Sequence, residues 1–210
     1  MSNPEQLIVV AGTGTEIGKT WAGRQLLQQA RSRGLRVAAR KPAQSFSEAD
    51  GLTDAELLAE ASGETPETVC PRHRWYAVPM APPMAADVLG LAPLRVKDLV
   101  AEITWEDATD LALVETAGGV RAPIAHDGDN VALIERIKPH KVLLVADAGL
   151  GTLNAVRLSL QALAGQQVVV LLNRFDSGND LHRRNREWLT VRDGATVITA
   201  VDQWWTASPR

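Results

Sequence analysis

The stretch VVAGTGTEIGKTWAG, Val9 to Gly23, decides how the rest of the chain is read. A phosphate-cradling loop has the form G-x-x-x-x-G-K-[ST] and sits between a strand and a helix. Counting back from Gly18-Lys19-Thr20, the first glycine of that form belongs at position 13, where the chain has threonine. Glycines stand on either side, at 12 and 14. The setting nevertheless fits: the apolar run 7–11 precedes the loop and an amphipathic stretch, 20–33, follows it. Small residues let the backbone turn its N–H groups inward, and the helix N-terminus adds a positive field. Lys19 is then within reach of β- and γ-phosphates, and the Thr20 hydroxyl of a Mg²⁺ ion. Gly14, Thr15, Glu16, Ile17, Gly18, Lys19 and Thr20 are therefore the candidate nucleotide contacts.

Outward from this loop, the continuous apolar runs 7–11, 35–40, 110–115, 141–146, 168–172 and 196–201 read as strands buried on both faces. Helical patterns over 20–33, 54–62, 95–103, 153–164 and 181–191 lie between them. The alternation predicts an α/β fold: a doubly wound, mainly parallel sheet with helices on both faces, in one P-loop domain over 1–210. The stretch 42–94, rich in proline, reads as looser. The chain has 210 residues, 45% of them apolar and 22% charged, with a net charge of −3. This balance argues against a nucleic-acid binder, whose footprint is basic. The short basic run at 182–186 reads as a solvated helix face. A single cysteine, Cys70, excludes an intrachain disulfide and suits a reducing compartment. No run approaches the ~18 apolar residues of a membrane span, and the N-terminus has no secretory pattern. The expectation is a cytoplasmic protein without a membrane or nucleic-acid partner.

Ligands of open α/β sheets bind beyond the carboxyl ends of the strands, so the residues following each run matter most. After the second run comes KPAQS, where Lys41 either neutralises an anion or is a surface lysine. Asp54 opens a helix, a position the helix dipole favours for any acid. Glu115 ends a strongly apolar strand, beside Thr20, and is a candidate Mg²⁺ ligand directly or through water. In DAGLGTLN, 147–154, a helix N-terminus can hold a carboxylate, or Asn154 can be a plain cap. Asn173 ends the fifth strand, either as a turn residue or as an amide matched to the donor and acceptor edge of adenine. The six tryptophans are scattered and read as packing, with Trp204 and Trp205 as possible pocket liners.

Taken in order, GTGTEIGKT from Gly12, KPAQS from Lys41, Asp54, VETAGG ending at Gly119 and LGTLN ending at Asn154 make the chain resemble the dethiobiotin synthetases of biotin biosynthesis, up to about residue 175. In that family the loop carries one extra residue, which accounts for the displaced glycine. The resemblance implies a ligase that converts 7,8-diaminononanoate, CO₂ or bicarbonate, and ATP into dethiobiotin, ADP and phosphate through a carbamate that ATP phosphorylates. It implies Lys41, Lys19 and Thr15 as catalytic groups. Glu115 and Asn173 join the loop in holding nucleotide, and Thr20, Asp54 and Glu115 hold Mg²⁺. Thr15, Lys41, Ser45, Leu150, Gly151 and Asn154 contact substrate, the last three across a homodimer interface. Three positions depart from the family. Thr116 replaces a glycine and is expected to crowd the site, Ala155 replaces a common histidine, and the C-terminal segment VITAVDQWWTASPR lacks the proline turn that contacts the base.

Two other readings compete. A partner-regulated switch ATPase of the deviant P-loop class usually carries an early lysine in K-G-G-x-G-K-T, whereas this chain has Gly12-Thr13-Gly14. A degenerate, non-catalytic relative is the other.

Overall fold

The computed structural model describes residues 4–47, 49 and 51–207. Six strands form one parallel sheet: β1 (Gln6–Gly12), β2 (Val37–Arg40), β3 (Leu111–Glu115), β4 (Lys141–Asp147), β5 (Val168–Asn173) and β6 (Thr196–Ile198). Their order across the sheet is β6-β5-β4-β1-β3-β2. All six coincide with the apolar runs: β1, β4 and β5 extend one residue beyond them at one or both ends, and β2, β3 and β6 are shorter. Strand residues alternate between faces, which splits the apolar side chains into two cores. Ile8, Val10, Leu111, Leu113 and Leu143 pack on one face, and Val9, Ala11, Ala112, Val114 and Leu144 on the other. Burial on both faces is what makes the runs continuous rather than alternating.

Helices α1 (Lys19–Ser32), α2 (Asp54–Ser62), α3 (Pro66–Val69), α4 (Pro82–Val88), α5 (Val96–Glu102), α6 (Asn130–Ile137), α7 (Thr152–Ala162) and α8 (Asp180–Glu187) cover the sheet. A single π-type turn, Trp188–Arg192, extends α8, and a 3₁₀ segment, Val201–Thr206, closes the described chain. Helix α6 is absent from the sequence expectation although Asp129 caps it by accepting from the Ala132 amide.

The stretch 42–94 is more ordered than its prolines suggest. Gln44–Ser45 pairs with Trp75–Tyr76 in a two-stranded parallel ribbon. Prolines 82 and 83 open α4, where a missing N–H costs nothing. Ala43, Tyr76, Ala85, Ala86, Leu94, Leu99 and Ile124 form a third core under this segment. No helix among the described residues is long and apolar enough to cross a membrane.

The chain runs outward from β1 to β2, returns to β3, then crosses to β4 on the other side of β1. The carboxyl ends of β1, β3 and β4 therefore open at the crevice where strand order reverses, the usual ligand position in such sheets.

Candidate active site

The loop after β1 is anchored at both ends. The Thr13 amide donates to the Val145 carbonyl on β4, and Gly18 caps α1 at φ +91°. A side chain at Gly18 would be strained by that φ. Its Cβ would also lie 2.2 Å from the Asn173 amide nitrogen, so only glycine fits. Between these anchors, Gly14, Thr15, Glu16, Gly18, Lys19 and Thr20 line a cavity of about 980 Å³. Ile17 instead packs its side chain on the core and offers its carbonyl to the Asn173 amide at 2.8 Å. The Lys19 ammonium folds back onto the Gly14 carbonyl at 2.9 Å. Burial, reinforced by the charge of Lys41, lowers its pKa to about 8.

Two strands and two helices bring four polar side chains together on the cavity floor. Lys41, just past β2, lies 2.7 Å from Asp54 Oδ2 and 2.6 Å from Glu115 Oε1, and its ammonium also points at the Thr116 carbonyl at 3.4 Å. The Thr20 hydroxyl, in the first turn of α1, sits 2.7 Å from Asp54 Oδ1 and 2.9 Å from Glu115 Oε1. With one proton to give, it bonds one carboxylate at a time. Asp54 is set at the first turn of α2 by a capping box in which Thr53 and Glu56 exchange hydrogen bonds. Glu115 is held by the register of β3 against β1, where it faces Val10. Gly23 of α1 keeps the helix close: its added Cβ would meet Leu58 at 3.2 Å and Glu115 Oε2 at 3.7 Å.

The electrostatics follow from burial. Lys41 is 2% exposed and Glu115 fully buried. Burial alone would strip the proton from Lys41, but Asp54 and Glu115 outweigh it and hold its pKa above the usual lysine value. Burial pushes the Glu115 carboxyl up against the opposing pull of Lys41. Asp54 is drawn down, because Lys41 outweighs its desolvation. Lys19 and Lys41 against Asp54 and Glu115 make a cluster of zero net charge before any ligand arrives. A polyphosphate entering it brings charge that only another cation can balance. Thr20, Asp54 and Glu115 present hard oxygens close together, and Glu115 Oε2 is buried without a hydrogen-bond partner. That donor set fits Mg²⁺.

Thr116 does not crowd the site. It is fully buried, and both its amide and its hydroxyl bond back to the Val10 carbonyl, at 3.0 and 3.2 Å. The threonine thus ties β3 to β1 behind the cavity. Ser45 lines the cavity and donates its hydroxyl to the Met80 carbonyl.

Leu150, Gly151 and Asn154 are placed elsewhere. They lie beyond β4, exposed, with Leu150 at 92%, and within this chain they do not line the cavity. Helix α7 starts at Thr152 with Gly151 as its cap, so Asn154 is inside the first turn rather than at the cap position.

A second cavity of about 720 Å³ lies on the far side of the loop, between α1 and β6. It is lined by Gly18, Trp21, Gln25, Gln29, residues 173–175 and residues 199–202. The segment after β6 therefore does build a wall there, without a proline turn. Trp204 is buried in the core, while the Trp205 indole N–H donates to Gln29 at 2.9 Å. The tryptophan that lines the cavity is Trp21, 47% exposed. Asn173 lines the second cavity beside Gly18, which borders both, and its amide is engaged at both ends: Nδ2 donates to Ile17 and Oδ1 accepts from the Arg174 amide at 3.0 Å.

The comparisons fit this geometry. A family model described as an AAA domain matches residues 6–203. The ATP-dependent dethiobiotin synthetase of Streptomyces avermitilis is 35% identical over 202 residues, 93% of this chain and 83% of that protein. The enzyme of the same name from Mycobacteroides abscessus is 34% identical, over 94% of this chain and 87% of its own length. The chain belongs to the ATP-dependent dethiobiotin synthetase family. With the Parafrankia member the match is 38% identical but shorter, 76% of this chain and 66% of that protein, just under two thirds of its length. Among solved structures, the signal recognition particle receptor FtsY from Elizabethkingia anophelis, in complex with GDP, superposes with a TM-score of 0.58 at 19% identity, over 94% of this chain and 57% of that one. A putative plasmid partition protein from Borrelia burgdorferi superposes at 0.56 with 12% identity, over 94% of this chain and 88% of that one. These two likenesses concern the fold alone.

Two asparagines without a place in the family motifs also shape the site. Asn130, fully buried, donates to the carbonyls of Ala117 at 2.6 Å and Gly119 at 2.8 Å. It braces the loop whose Gly119 lies against the phosphate loop at Thr13. Asn185 of α8 donates at 3.0 Å to the carbonyls of Ala148 and Gly149. Neither stands out by spacing, because each lies 11 or more residues from the loop it braces. The same helix α8 exposes its arginines, two of them paired with Asp180, in keeping with a solvated face. Cys70 is buried, and burial pushes its thiol up to about 12, which makes it a packing residue.

Proposed function

We propose that this protein is a cytoplasmic, homodimeric ligase that closes a cyclic urea. It takes 7,8-diaminononanoate, CO₂ and ATP, and releases dethiobiotin, ADP and phosphate. One amine adds to CO₂ as a carbamate and sheds a proton. A carbamate oxygen attacks the γ-phosphorus and ADP leaves. The second amine then attacks the carbamate carbon and sheds a proton, phosphate departs with that oxygen, and the ring closes.

The observation that carries this reading is the convergence of Lys41, Asp54, Glu115 and Thr20 at the mouth of the phosphate loop, in a cavity that continues into an apolar region. Phe46, Leu52, Met80 and Pro82 line that region, a suitable wall for the alkyl chain of the diamine. Lys19 lies where β- and γ-phosphates enter, and its ammonium is free to exchange the Gly14 carbonyl for phosphate oxygens. Lys41, kept protonated by two carboxylates, offers fixed positive charge to the transferring phosphoryl. Thr20, Asp54 and Glu115 would hold Mg²⁺, which when bound neutralises the phosphate oxygens. Thr15 at the exposed turn of the loop and Ser45 opposite it would face the carbamate. Asn173 supports the nucleotide side, next to the second cavity, where the base would lie. Leu150, Gly151 and Asn154 are too exposed and too far from the cavity to serve this chain's own site. Their place in the reading is to hold the substrate carboxylate in the site of a second copy.

The test is incubation with diaminononanoate, bicarbonate and Mg-ATP. Diamine-dependent phosphate release with dethiobiotin as product is expected. Nucleotide binding without any response to the diamine would point to the switch-ATPase reading instead.

A further inference from the structure

The segment between Lys41 and Ser45 carries three polar side chains, and two are already committed. The Lys41 ammonium has its three directions occupied by Asp54, Glu115 and the Thr116 carbonyl. The Ser45 hydroxyl donates to the Met80 carbonyl. The third, Gln44, is 2% exposed and lines the same cavity. Its Oε1 accepts the Ala55 amide N–H at 2.9 Å. A backbone N–H can only donate, so this bond fixes which end of the side-chain amide is oxygen. Nε2 therefore faces the other way, shielded from water and without an acceptor. A buried donor left unpaired is costly, and such a group in a native fold calls for an explanation such as a catalytic role or a bound partner.

We propose that Gln44 is a substrate-contacting residue whose side-chain amide donates to an oxygen of the carbamate. This rests on the reaction proposed above. The open position is a donor only, which selects among the groups the substrate can present. A carbamate offers two acceptor oxygens and a negative charge. At its reacting end the free diamine at neutral pH offers only ammonium groups, which donate and are refused, and its carboxylate lies at the far end of the alkyl chain. Gln44 thus favours the carboxylated form of the substrate beside Lys41. Its other end, on the Ala55 amide, couples that contact to the start of α2, where Asp54 is held.

The test compares wild type with Gln44→Glu and Gln44→Met in the full-length chain. Glutamate keeps the acceptor for the Ala55 amide and replaces the donor with a charge that repels the carbamate. Methionine keeps volume and removes both hydrogen bonds. Wild type must first show diamine-dependent phosphate release; its absence defeats the ligase reading and this inference with it. Given that activity, kcat/KM for the diamine is expected to fall about a hundredfold in Gln44→Glu and about tenfold in Gln44→Met. The Kd for ATP, titrated separately, should stay within about twofold of wild type. A merely structural role would instead lower Tm and shift ATP and diamine constants together. Wild-type kcat/KM in either folded variant, or a loss confined to ATP affinity, overturns the proposal. If Gln44→Glu does not fold, Gln44→Met decides alone.

Discussion

The two cavities on either side of the phosphate loop are built on different principles. The cavity toward β3 is floored by opposite charges in direct contact, with Lys41 and Glu115 buried and 2.6 Å apart. The cavity toward β6 is walled mostly by partly exposed side chains, two of them tied to groups outside the wall: Gln29 to the Trp205 indole and Asn173 to the Ile17 carbonyl. The first region has its charges fixed in place before a ligand arrives, as electrostatic catalysis requires. The second presents a shaped surface with few committed polar groups, suited to holding a base by contact area. Gly18, with Asn173 beside it, is the seam between them.

Breaking the charged side is expected to have the largest effect. Lys41→Met leaves Asp54 and Glu115 facing each other without their shared cation. Removing one partner of a buried pair costs about 3–5 kcal/mol, so Tm should fall by several degrees in a thermal melt. Turnover should fall by about 10³-fold or more in a phosphate-release assay. Glu115→Gln keeps the shape and leaves Lys41 paired with Asp54. It should fold with a smaller change in Tm and lose about 10²-fold in kcat, and its Mg²⁺ requirement should shift to higher concentration. A variant that kept wild-type turnover would show that the buried cluster is scaffolding.

At the seam, Asn173→Ala frees the Ile17 carbonyl and unpins the turn at Gly18. A hydrogen bond of this kind is worth about 1 kcal/mol, so KM for ATP should rise roughly five- to tenfold with kcat little changed. A fall in kcat matching that of Glu115→Gln would mean the two regions act as one. The smallest effect belongs to an exposed pair, Arg36 with Asp110, which serves as the contrast to the buried one. Three Arg36 donors hold the Asp110 carboxyl down at about 2. A depressed carboxyl contributes stability above its unfolded value, and that contribution is lost as pH falls from about 4 through 2. Asp110→Asn should therefore flatten acid unfolding below pH 4 slightly and leave Tm at pH 7 nearly unchanged, measured by melts across pH.

How far each region is legible in the sequence follows the same division. The strands announced themselves because burial on both faces demands uninterrupted apolar runs. Lys19, Thr20 and Glu115 stood out by their place at a strand end or helix start, whereas Lys41 and Asp54 each had a plain reading by position and were singled out by the ordered family motifs. The crowding expected of Thr116 came from comparing VETAGG with the family motif, and it does not occur because the side chain turns back onto the Val10 carbonyl. The second cavity was hidden because its wall joins α1 to residues nearly 180 positions later, and no local pattern encodes such a contact. Asn130 and Asn185 were hidden for the same reason, since buried asparagines look like turn residues until the loop they brace is known. Helix α4 was obscured by prolines that in fact open it.

The central claim is that the buried cluster transfers phosphoryl from ATP to an oxygen that came from CO₂. ¹⁸O-labelled bicarbonate, supplied with diaminononanoate and Mg-ATP and sampled before exchange with water, tests it directly by ³¹P NMR of the released phosphate. The account predicts one labelled oxygen in each phosphate released, and only when the diamine is present. Unlabelled phosphate under those conditions, with the oxygen drawn from water, would contradict it.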